Sequence, residues 1–241
     1  IIKKDAWIDH LIDYKSKNEY YYNKNNKLKA PDVIKCINKT IDELKIDRDN
    51  LYFTTGVGNH QMWTSQHITW TSPNKMITSG SLGTMGVGVP FAIGSKLANP
   101  NSMVICIDGD GSFCMTSNEL QTILENNINI KIAIMNDSRQ QMVHVWQKLF
   151  HNERYIATDN VNPDFKKLSD SYNIMTIECS DKYNLNETVK DFLEYDEPIV
   201  GVFNIDPEMC YPLVAPGKSL NDMILNENDI INLNKNINAP N

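Results

Sequence analysis

Two clusters of polar residues carry side chains that suit a magnesium ion and a diphosphate. Asp108-Gly109-Asp110-Gly111 directly follows one apolar run, and Asn136-Asp137 follows the next. Oxygen ligands suit Mg²⁺, which usually also keeps waters and bridges to phosphate groups. The glycines would let a ligand approach the backbone closely, and Ser112 can donate a hydrogen bond to an anion. The two clusters predict a magnesium–diphosphate site, and the alternative is that the acid–glycine run only forms a turn.

Two glycine-rich segments carry further residues that could contact a ligand. In "TTGVGNHQMW" (residues 54–63) His60 follows a glycine-rich strand exit, which favours a phosphate donor over a surface or structural histidine. In "TSGSLGTMGVGVPFAIGSKLA" (residues 78–98) the glycines either pack closely or allow a flat ring to lie on the backbone, with Met85 as an apolar support. Both segments are therefore candidates for the same ligand site.

Short apolar runs alternate with stretches that suit helices, and this alternation is typical of a parallel sheet. The runs predict strands at residues 51–54, 76–78, 103–107, 130–135, 174–178 and 199–205. The spacing of apolar and small residues predicts helices at 83–97, 163–172 and 185–193. We expect a doubly wound α/β fold, with a mostly parallel six-stranded sheet and helices on both faces. Ligands bind outside the carboxyl ends of such strands, so the two polar clusters should meet at one edge.

Local motifs add one helix start and exclude a common phosphate site. Thr116-x-x-Glu119 has the pattern of a capping box, so it predicts a helix that begins there and points its positive end toward the ligand. The sequence has no G-x-x-x-x-G-K-[ST] run, which excludes a P-loop. Its glycines do not form G-x-G-x-x-G either, which argues against a Rossmann dinucleotide site.

The length and the charge of the chain limit its possible domain organisation and partners. The chain has 241 residues, 41% of them hydrophobic, and a formal net charge of −7. We interpret residues 1–35 as a lead-in or linker, 36–205 as one α/β diphosphate-binding domain and 206–241 as a C-terminal extension or tail. The acidic balance argues against a nucleic-acid partner, because phosphate backbones require a basic surface.

The apolar runs and the cysteines indicate the environment of the chain. No run approaches the roughly 18 apolar residues that cross a bilayer, so we expect no membrane partner. The five cysteines lack paired or zinc-finger spacing, which favours reduced thiols. We expect a cytoplasmic protein, with a plastid or another organelle as the alternative, because the sequence does not begin with Met.

Four linked segments carry a family resemblance. Gly109-Asp110-Gly111 with Asn136-Asp137 resembles the G-D-G…N-N signature of thiamine diphosphate enzymes. The segments "TTGVGNHQMWTSQHITW", "ITSGSLGTMGVGVPFAIG", "IDGDGSFCMTSNEL" and "QMVHVWQKLF" together resemble the catalytic subunit of acetolactate synthase. The similarity runs from about Trp7 to Ile224 and corresponds to the C-terminal, cofactor-binding third of such a subunit.

The resemblance implies a role for each matching residue. The implied ligands of Mg²⁺ are Asp110, Asp137 and the carbonyl of Arg139. The residues implied to contact the cofactor are Val57, Gly58, Asn59, His60, Gly83, Met85, Gly109, Asp110, Gly111, Ser112, Gln140 and Met142. Of these, Gly83 and Met85 would hold the aminopyrimidine, and Met142 would lie near the thiazolium. Trp146 would shape the site of the second 2-oxo acid together with Met142, or would be a core aromatic residue.

The resemblance also implies an activity and its partners. Such subunits join pyruvate to a second pyruvate or to 2-oxobutyrate with loss of CO₂, the first step of branched-chain amino-acid biosynthesis. Thiamine diphosphate and Mg²⁺ would bind to this portion, and FAD would bind to a middle domain. The activating glutamate would come from a pyrimidine-binding domain of the same or another subunit, so we expect no catalytic residue on this chain and no activity of it in isolation. A homodimer or homotetramer and a regulatory small subunit are the further partners implied.

Two residues depart from the family pattern and keep alternatives open. Asp137 stands where the second Asn is usual, so it adds negative charge beside the diphosphate. Gln141 stands where Gly is usual, which costs on the order of 1 kcal/mol if the backbone there is left-handed. The alternatives are another thiamine diphosphate-dependent 2-oxo acid decarboxylase or carboligase, or a non-catalytic cofactor-binding relic that serves in assembly.

Overall fold

The computed structural model of the chain describes residues 4–230, which fall into two compact units. Lys24–Met209 form the larger unit, which holds the main sheet. The smaller unit comprises the described residues up to 23 and from 210 onward. Its elements are helix α1 (Lys4–Lys17), a short antiparallel pair of β7 (Leu213–Val214) and β8 (Met223–Ile224), and a 3₁₀ turn (Leu220–Asp222).

The larger unit alternates strands and helices, as the sequence predicts. Its strands are β1 (Leu51–Thr55), β2 (Met76–Ile77), β3 (Met103–Gly109), β4 (Lys131–Asn136), β5 (Met175–Cys179) and β6 (Ile199–Asn204). Its helices are α2 (Ala30–Glu43), α3 (Asn59–His67), α4 (Gly88–Ala98), α5 (Asp110–Met115), α6 (Leu120–Asn126), α7 (Gln141–Phe150), α8 (Phe165–Asp170) and α9 (Leu185–Glu194). Two 3₁₀ turns lie at Arg48–Asn50 and Ser117–Glu119. Each of the six predicted strands is present within two residues of its predicted bounds.

The six strands form one parallel sheet in the order β2-β1-β3-β4-β6-β5. After β1 the chain moves outward to β2, and it then returns to place β3 on the other side of β1. This reversal creates a topological switch point between the carboxyl ends of β1 and β3, where open α/β sheets bind ligands. The doubly wound, six-stranded parallel fold is confirmed.

Both faces of the sheet are covered, which explains why its strands read as nearly continuous apolar runs. On one face, Cys106, Ile132 and Val202 belong to a buried cluster that includes residues of α4, α6 and α8. On the other face, Phe203 of β6 packs edge-on against Phe192 of α9 at a ring distance of 6.1 Å. Helices therefore lie on both sides, and the polar strand ends are left at the edges of the layers.

Two predicted helix starts are wrong. The helix predicted from residue 83 begins at Gly88, because Gly83 and Gly86 have left-handed φ angles of 64° and 79°. The capping box predicted at Thr116 does not form, since its hydroxyl donates to the Gly86 carbonyl at 2.6 Å and Glu119 lies in a 3₁₀ turn. Helix α6 therefore starts only at Leu120, and the helix nearest the acid–glycine run is α5, which begins within the run at Asp110.

The edges of the larger unit differ from the predicted domain limits at residues 35 and 206. Helix α2 begins at Ala30, inside the predicted lead-in, and its residues up to Ile34 are mostly buried. Residues 206–208 return to the larger unit, where Lys29 Nζ lies 2.6 Å from Asp206 Oδ2 and 3.1 Å from Glu208 Oε2. The three-part division stays a prediction, and residues 1–3 and 231–241 of its end segments lie outside the described residues.

The structure also describes the state of the cysteines and the lengths of the helices. All five cysteines are free, and four of them are buried. Among residues 4–230, no helix combines the length and the apolar content that a membrane crossing requires.

Candidate functional site

An open cleft lies at the switch point of the sheet. It is bounded by the segments that leave β1, β3 and β4 at their carboxyl ends, together with the start of α7. The lining residues are Val57, Gly58, Asn59, His60, Trp63, Met85, Gly109, Asp110, Gly111, Ser112, Met135, Asp137, Arg139, Gln140, Gln141, Met142, Val143 and Ile205. The two polar clusters of the sequence therefore meet in one cleft.

The floor of the cleft rests on Asp108, a fully buried carboxylate. Its Oδ1 accepts a hydrogen bond from the Gly109 backbone at 2.9 Å and lies 3.3 Å from His60 Nε2. Glycines are required around it: a Cβ on Gly56 would lie 2.0 Å from Asp108 Oδ1, and one on Gly88 would lie 2.5 Å from Oδ2. Gly56 and Gly88 thus have a packing cause, because they make room for a buried acid beneath the cleft.

Gly88→Ala is expected to lower the free energy of unfolding by about 1–3 kcal/mol, the usual range for overpacking a tight core. The added Cβ would lie 2.8 Å from the Gly56 backbone nitrogen, and backbone yields less easily than a flexible side chain. Gly94→Ala in the same helix is the matched control, since a Cβ there meets nothing within 4 Å. This control should be stabilised by roughly 0.5–1 kcal/mol through helix propensity. Urea unfolding measures the change in the free energy of unfolding for each variant. A change of the same sign in both variants would contradict the packing account.

Asp110 is the buried carboxylate on the wall of the cleft, with only 1% of its surface exposed. Its Oδ2 accepts hydrogen bonds from Asn160 Nδ2 at 3.1 Å and from Asn162 Nδ2 at 2.6 Å. Gly111 must lack a side chain, because a Cβ there would lie 2.2 Å from Gln140 Nε2. The acid–glycine run is therefore packed against side chains that come from two later loops.

The loop after β4 is held in a sharp turn. Ser138 has a left-handed φ of 55°, and the backbone nitrogen of Arg139 donates to Asp137 Oδ1 at 3.2 Å. Burial, followed by the nearby charge of Asp110, raises the pKa of Asp137 to about 7, with the Arg139 hydrogen bond opposing the shift. The turn therefore places a second acid near Asp110, where it resists ionisation at neutral pH.

The donors in the cleft fit a magnesium ion that is shared with a phosphate ligand. Two carboxylates, Asp110 and Asp137, line one cleft, and the charge of the first disfavours ionisation of the second. In the described part of the chain, no group of three or more His, Cys, Asp or Glu side chains is arranged to hold a metal. Mg²⁺ is typically bound through one or two carboxylates plus phosphate oxygens rather than by an all-protein cage, so this donor set suits it.

The side chains of Asn59 and Gln141 share one hydrogen-bond partner. Asn59 Nδ2 donates to the Glu208 carbonyl at 3.2 Å, and Gln141 Nε2 donates to the same oxygen at 3.3 Å. Gln141 is the first residue of α7, so its backbone is helical and the strain anticipated for a left-handed conformation does not arise. These side chains tie the starts of α3 and α7 to the segment after β6, whose Ile205 lines the cleft.

Two of the residues singled out in the sequence lie outside the cleft lining. Gly83 is exposed with a left-handed backbone, and a Cβ on it would approach only Val57, at 3.9 Å. Trp146 packs against Phe150 at a ring distance of 4.7 Å and lines a neighbouring groove with Val143 and Ile156. Val143 lines both the groove and the cleft, so Trp146 is one helical turn from the cleft rather than in its wall.

Sequence reasoning did not select several residues that the structure places in or behind the cleft. Trp63, Met135, Val143 and Ile205 line it, Asp108 lies beneath it beside His60, and Asn160 and Asn162 donate hydrogen bonds to Asp110. Asp108 and Met135 lie near the carboxyl ends of β3 and β4, so the predicted strands would have indicated that they lie close to the cleft. Asn160 and Asn162 lie in a polar loop whose partner could not be read from the sequence.

A cleft of this kind, at the switch point of a doubly wound parallel sheet, defines a cofactor-binding α/β domain. The chain belongs to the thiamine pyrophosphate enzyme family, whose C-terminal TPP-binding domain matches residues 56–202. This match begins directly after β1 and ends within β6, so it covers the cleft residues from Val57 to Val143. The family resemblance found in the sequence is therefore confirmed.

Curated relatives refine the comparison. The chain is 38% identical over 225 residues to "Acetolactate synthase, mitochondrial" of Schizosaccharomyces pombe, which covers 92% of this chain and 33% of that protein. It is 37% identical over 226 residues to the mitochondrial catalytic subunit of Saccharomyces cerevisiae, covering 92% and 32%. It is 43% identical over 176 residues to the acetolactate synthase large subunit of Porphyra purpurea, covering 72% and 30%. The chain thus spans about a third of the length of these relatives.

Proposed function

We propose that the chain is the cofactor-binding portion of an acetolactate synthase, which joins pyruvate to a second pyruvate or to 2-oxobutyrate with release of CO₂. The observation that carries the proposal is the meeting of the acid–glycine run, the His60 segment and the loop after β4 in one cleft. Similarity to acetolactate synthases over 92% of the chain supports the particular reaction. Branched-chain amino-acid biosynthesis is the pathway that this reaction would serve.

The proposed ligands of Mg²⁺ are the carboxylates of Asp110 and Asp137 and the carbonyl of Arg139. The proposed contacts of the diphosphate are Val57, Gly58, Asn59, His60, Ser112 and Gln140, which all line the cleft. Gly109 and Gly111 would keep the floor open, because side chains there would collide with His60 and Gln140. Together these groups would hold the anionic end of the cofactor while the cation balances its charge.

The rest of the cofactor would lie toward Met85 and Met142. Both side chains line the cleft and are half-buried, so they offer apolar contact to a ring without filling the space. Gly83 would contribute through its backbone, and Trp146 would shape the neighbouring groove that the second 2-oxo acid approaches. Thiamine diphosphate supplies the electron sink for decarboxylation when bound, so the task of these residues is to bind, orient and exclude water.

Completion of the site requires further parts. We propose that a pyrimidine-binding domain from the same or another subunit supplies the activating glutamate, in a homodimer or homotetramer. FAD in a middle domain and a regulatory small subunit are further proposed partners. A cytoplasmic location is part of the proposal, although the relatives named above from the two yeasts are called mitochondrial.

A chimaera tests the reaction directly. The matching third of the S. pombe relative is replaced by this chain, and acetolactate is measured from pyruvate with thiamine diphosphate, Mg²⁺ and FAD present. We expect acetolactate from the chimaera and none from the same chimaera with Asp110→Ala, while the unaltered relative serves as the positive control. Formation of acetaldehyde without acetolactate would favour a decarboxylase. Binding of the cofactor without any product would favour a non-catalytic chain that serves only in assembly.

A further inference from the structure

We propose that Asn160 and Asn162 are positioning residues for Asp110, an inference that rests on the function proposed above. Their side-chain amides fix one oxygen of the carboxylate, and this leaves the other oxygen to the cation. Both residues come from the loop between α7 and α8, which lies behind the cleft lining. They act through Asp110 rather than by touching the cofactor.

The contacts converge on a single atom. Asn162 Nδ2 donates to Asp110 Oδ2 at 2.6 Å, and Asn160 Nδ2 donates to the same oxygen at 3.1 Å. Hydrogen bonds to an ionised acceptor are shorter and stronger than neutral ones, so two of them on one oxygen restrain the rotation of the carboxylate. The other oxygen of the Asp110 carboxylate, Oδ1, would then be the one that binds the cation.

Each amide is also held at a second point. Asn162 Nδ2 lies 2.9 Å from Asn136 Oδ1, and Asn136 in turn donates to Asn204 Oδ1 at 2.7 Å. Asn160 Oδ1 accepts from Gln140 Nε2 at 3.3 Å. The two side chains therefore have fixed orientations, which a positioning role requires.

The backbone joins this loop to the other acid of the cleft. The nitrogen of Asn160 donates to the Ser138 carbonyl at 2.8 Å, and the nitrogen of Gln140 donates to the Thr158 carbonyl at 2.7 Å. Residues 158–160 therefore pair with the turn that carries Asp137 and Arg139, while the Asn160 side chain reaches Asp110. This one loop therefore contacts the segments that carry both proposed acidic ligands, Asp110 after β3 and Asp137 after β4, and fixes the distance between them.

Outer hydrogen-bond partners of metal ligands typically change metal affinity by about 10–100-fold when they are removed. We expect Asn162→Ala, and to a smaller extent Asn160→Ala, to weaken Mg²⁺ binding within this range. The matched control is Asn99→Ala, which removes a half-buried amide bonded to Ser95 and Tyr52 at the amino end of β3. This control should leave the Mg²⁺ affinity unchanged.

The experiment is a calorimetric titration of Mg²⁺ into the full 241-residue chain at saturating thiamine diphosphate. Melting temperatures of all variants in EDTA separate a loss of cation affinity from a loss of fold. Weaker Mg²⁺ binding in both loop variants, with melting temperatures like that of Asn99→Ala, supports the inference. Unchanged Mg²⁺ affinity in both loop variants, beside a wild type that binds, overturns it. No magnesium-dependent binding by the wild type, either as this chain or within the chimaera described above, would instead contradict the proposed function itself.

Discussion

Asp110→Ala is expected to abolish magnesium-dependent binding of thiamine diphosphate to the chain. The variant removes a carboxylate that is 1% exposed and that two amides hold against the cleft. Loss of a direct ligand should exceed the roughly 10–100-fold effect typical of outer partners, so an affinity at least about 100-fold weaker is expected. Equilibrium dialysis of thiamine diphosphate, with Mg²⁺ and with EDTA, measures this change.

Two companion variants make the Asp110 result specific. Asp110→Asn keeps the shape of the side chain but removes its charge, so it should also lose most of the magnesium dependence. Asp170→Ala removes an exposed carboxylate that pairs with Lys166 on α8, and it should bind like the wild type. If Asp110→Ala retained the affinity of Asp170→Ala, the assignment of Asp110 to the cation would be wrong.

Asp137→Asn is expected to make the cation-free chain more stable at neutral pH and to flatten part of its pH dependence. In the folded chain burial and Asp110 raise the pKa of Asp137 to about 7, above its ordinary value of 3.8. Between these two values the folded state binds more protons than the unfolded state, so the free energy of unfolding falls as pH rises. The loss is complete above about pH 7, and three pH units correspond to roughly 4 kcal/mol at most.

Paired unfolding curves isolate this contribution. The free energies of unfolding of wild type and Asp137→Asn are measured in urea with EDTA between pH 4 and pH 8, and one is subtracted from the other. The difference should grow with pH in favour of the variant and level off near neutrality. A difference that is flat across this range would show that burial and the charge of Asp110 do not raise the pKa of Asp137.

The sheet was predictable from the sequence because its strands are buried on both faces. Runs such as "MVICIDG" of β3 carry no polar residue until the strand end, where the chain reaches the ligand edge. Helix α2 was missed because the polar stretch before it reads as a linker, although Pro31 and Asp32 in its first turn are typical of a helix start. The predicted start of α4 was too early because small residues occur both in the left-handed stretch at Gly83 and Gly86 and in the helix that follows it.

The cleft was predictable where it follows strand order and unpredictable where it depends on distant loops. Asp110, His60 and Asp137 each follow a strand closely, so parallel topology alone brings them to one edge. Asn160 and Asn162 lie in "TDNVNPD", a stretch of turn-forming residues, and only the folded chain shows that they bond to Asp110. Trp146 is one helical turn after Met142, and the sequence does not tell which groove it lines.

Calorimetric titration of thiamine diphosphate into the wild-type chain, once with Mg²⁺ and once with EDTA, tests the central claim most directly. The two-acid cleft predicts one binding site per chain that is occupied only when Mg²⁺ is present, because the cation must balance both the carboxylates and the diphosphate. Binding that is equally strong in EDTA, or no binding at millimolar thiamine diphosphate to either the chain or the chimaera that carries it, would contradict a magnesium–diphosphate site at the switch point.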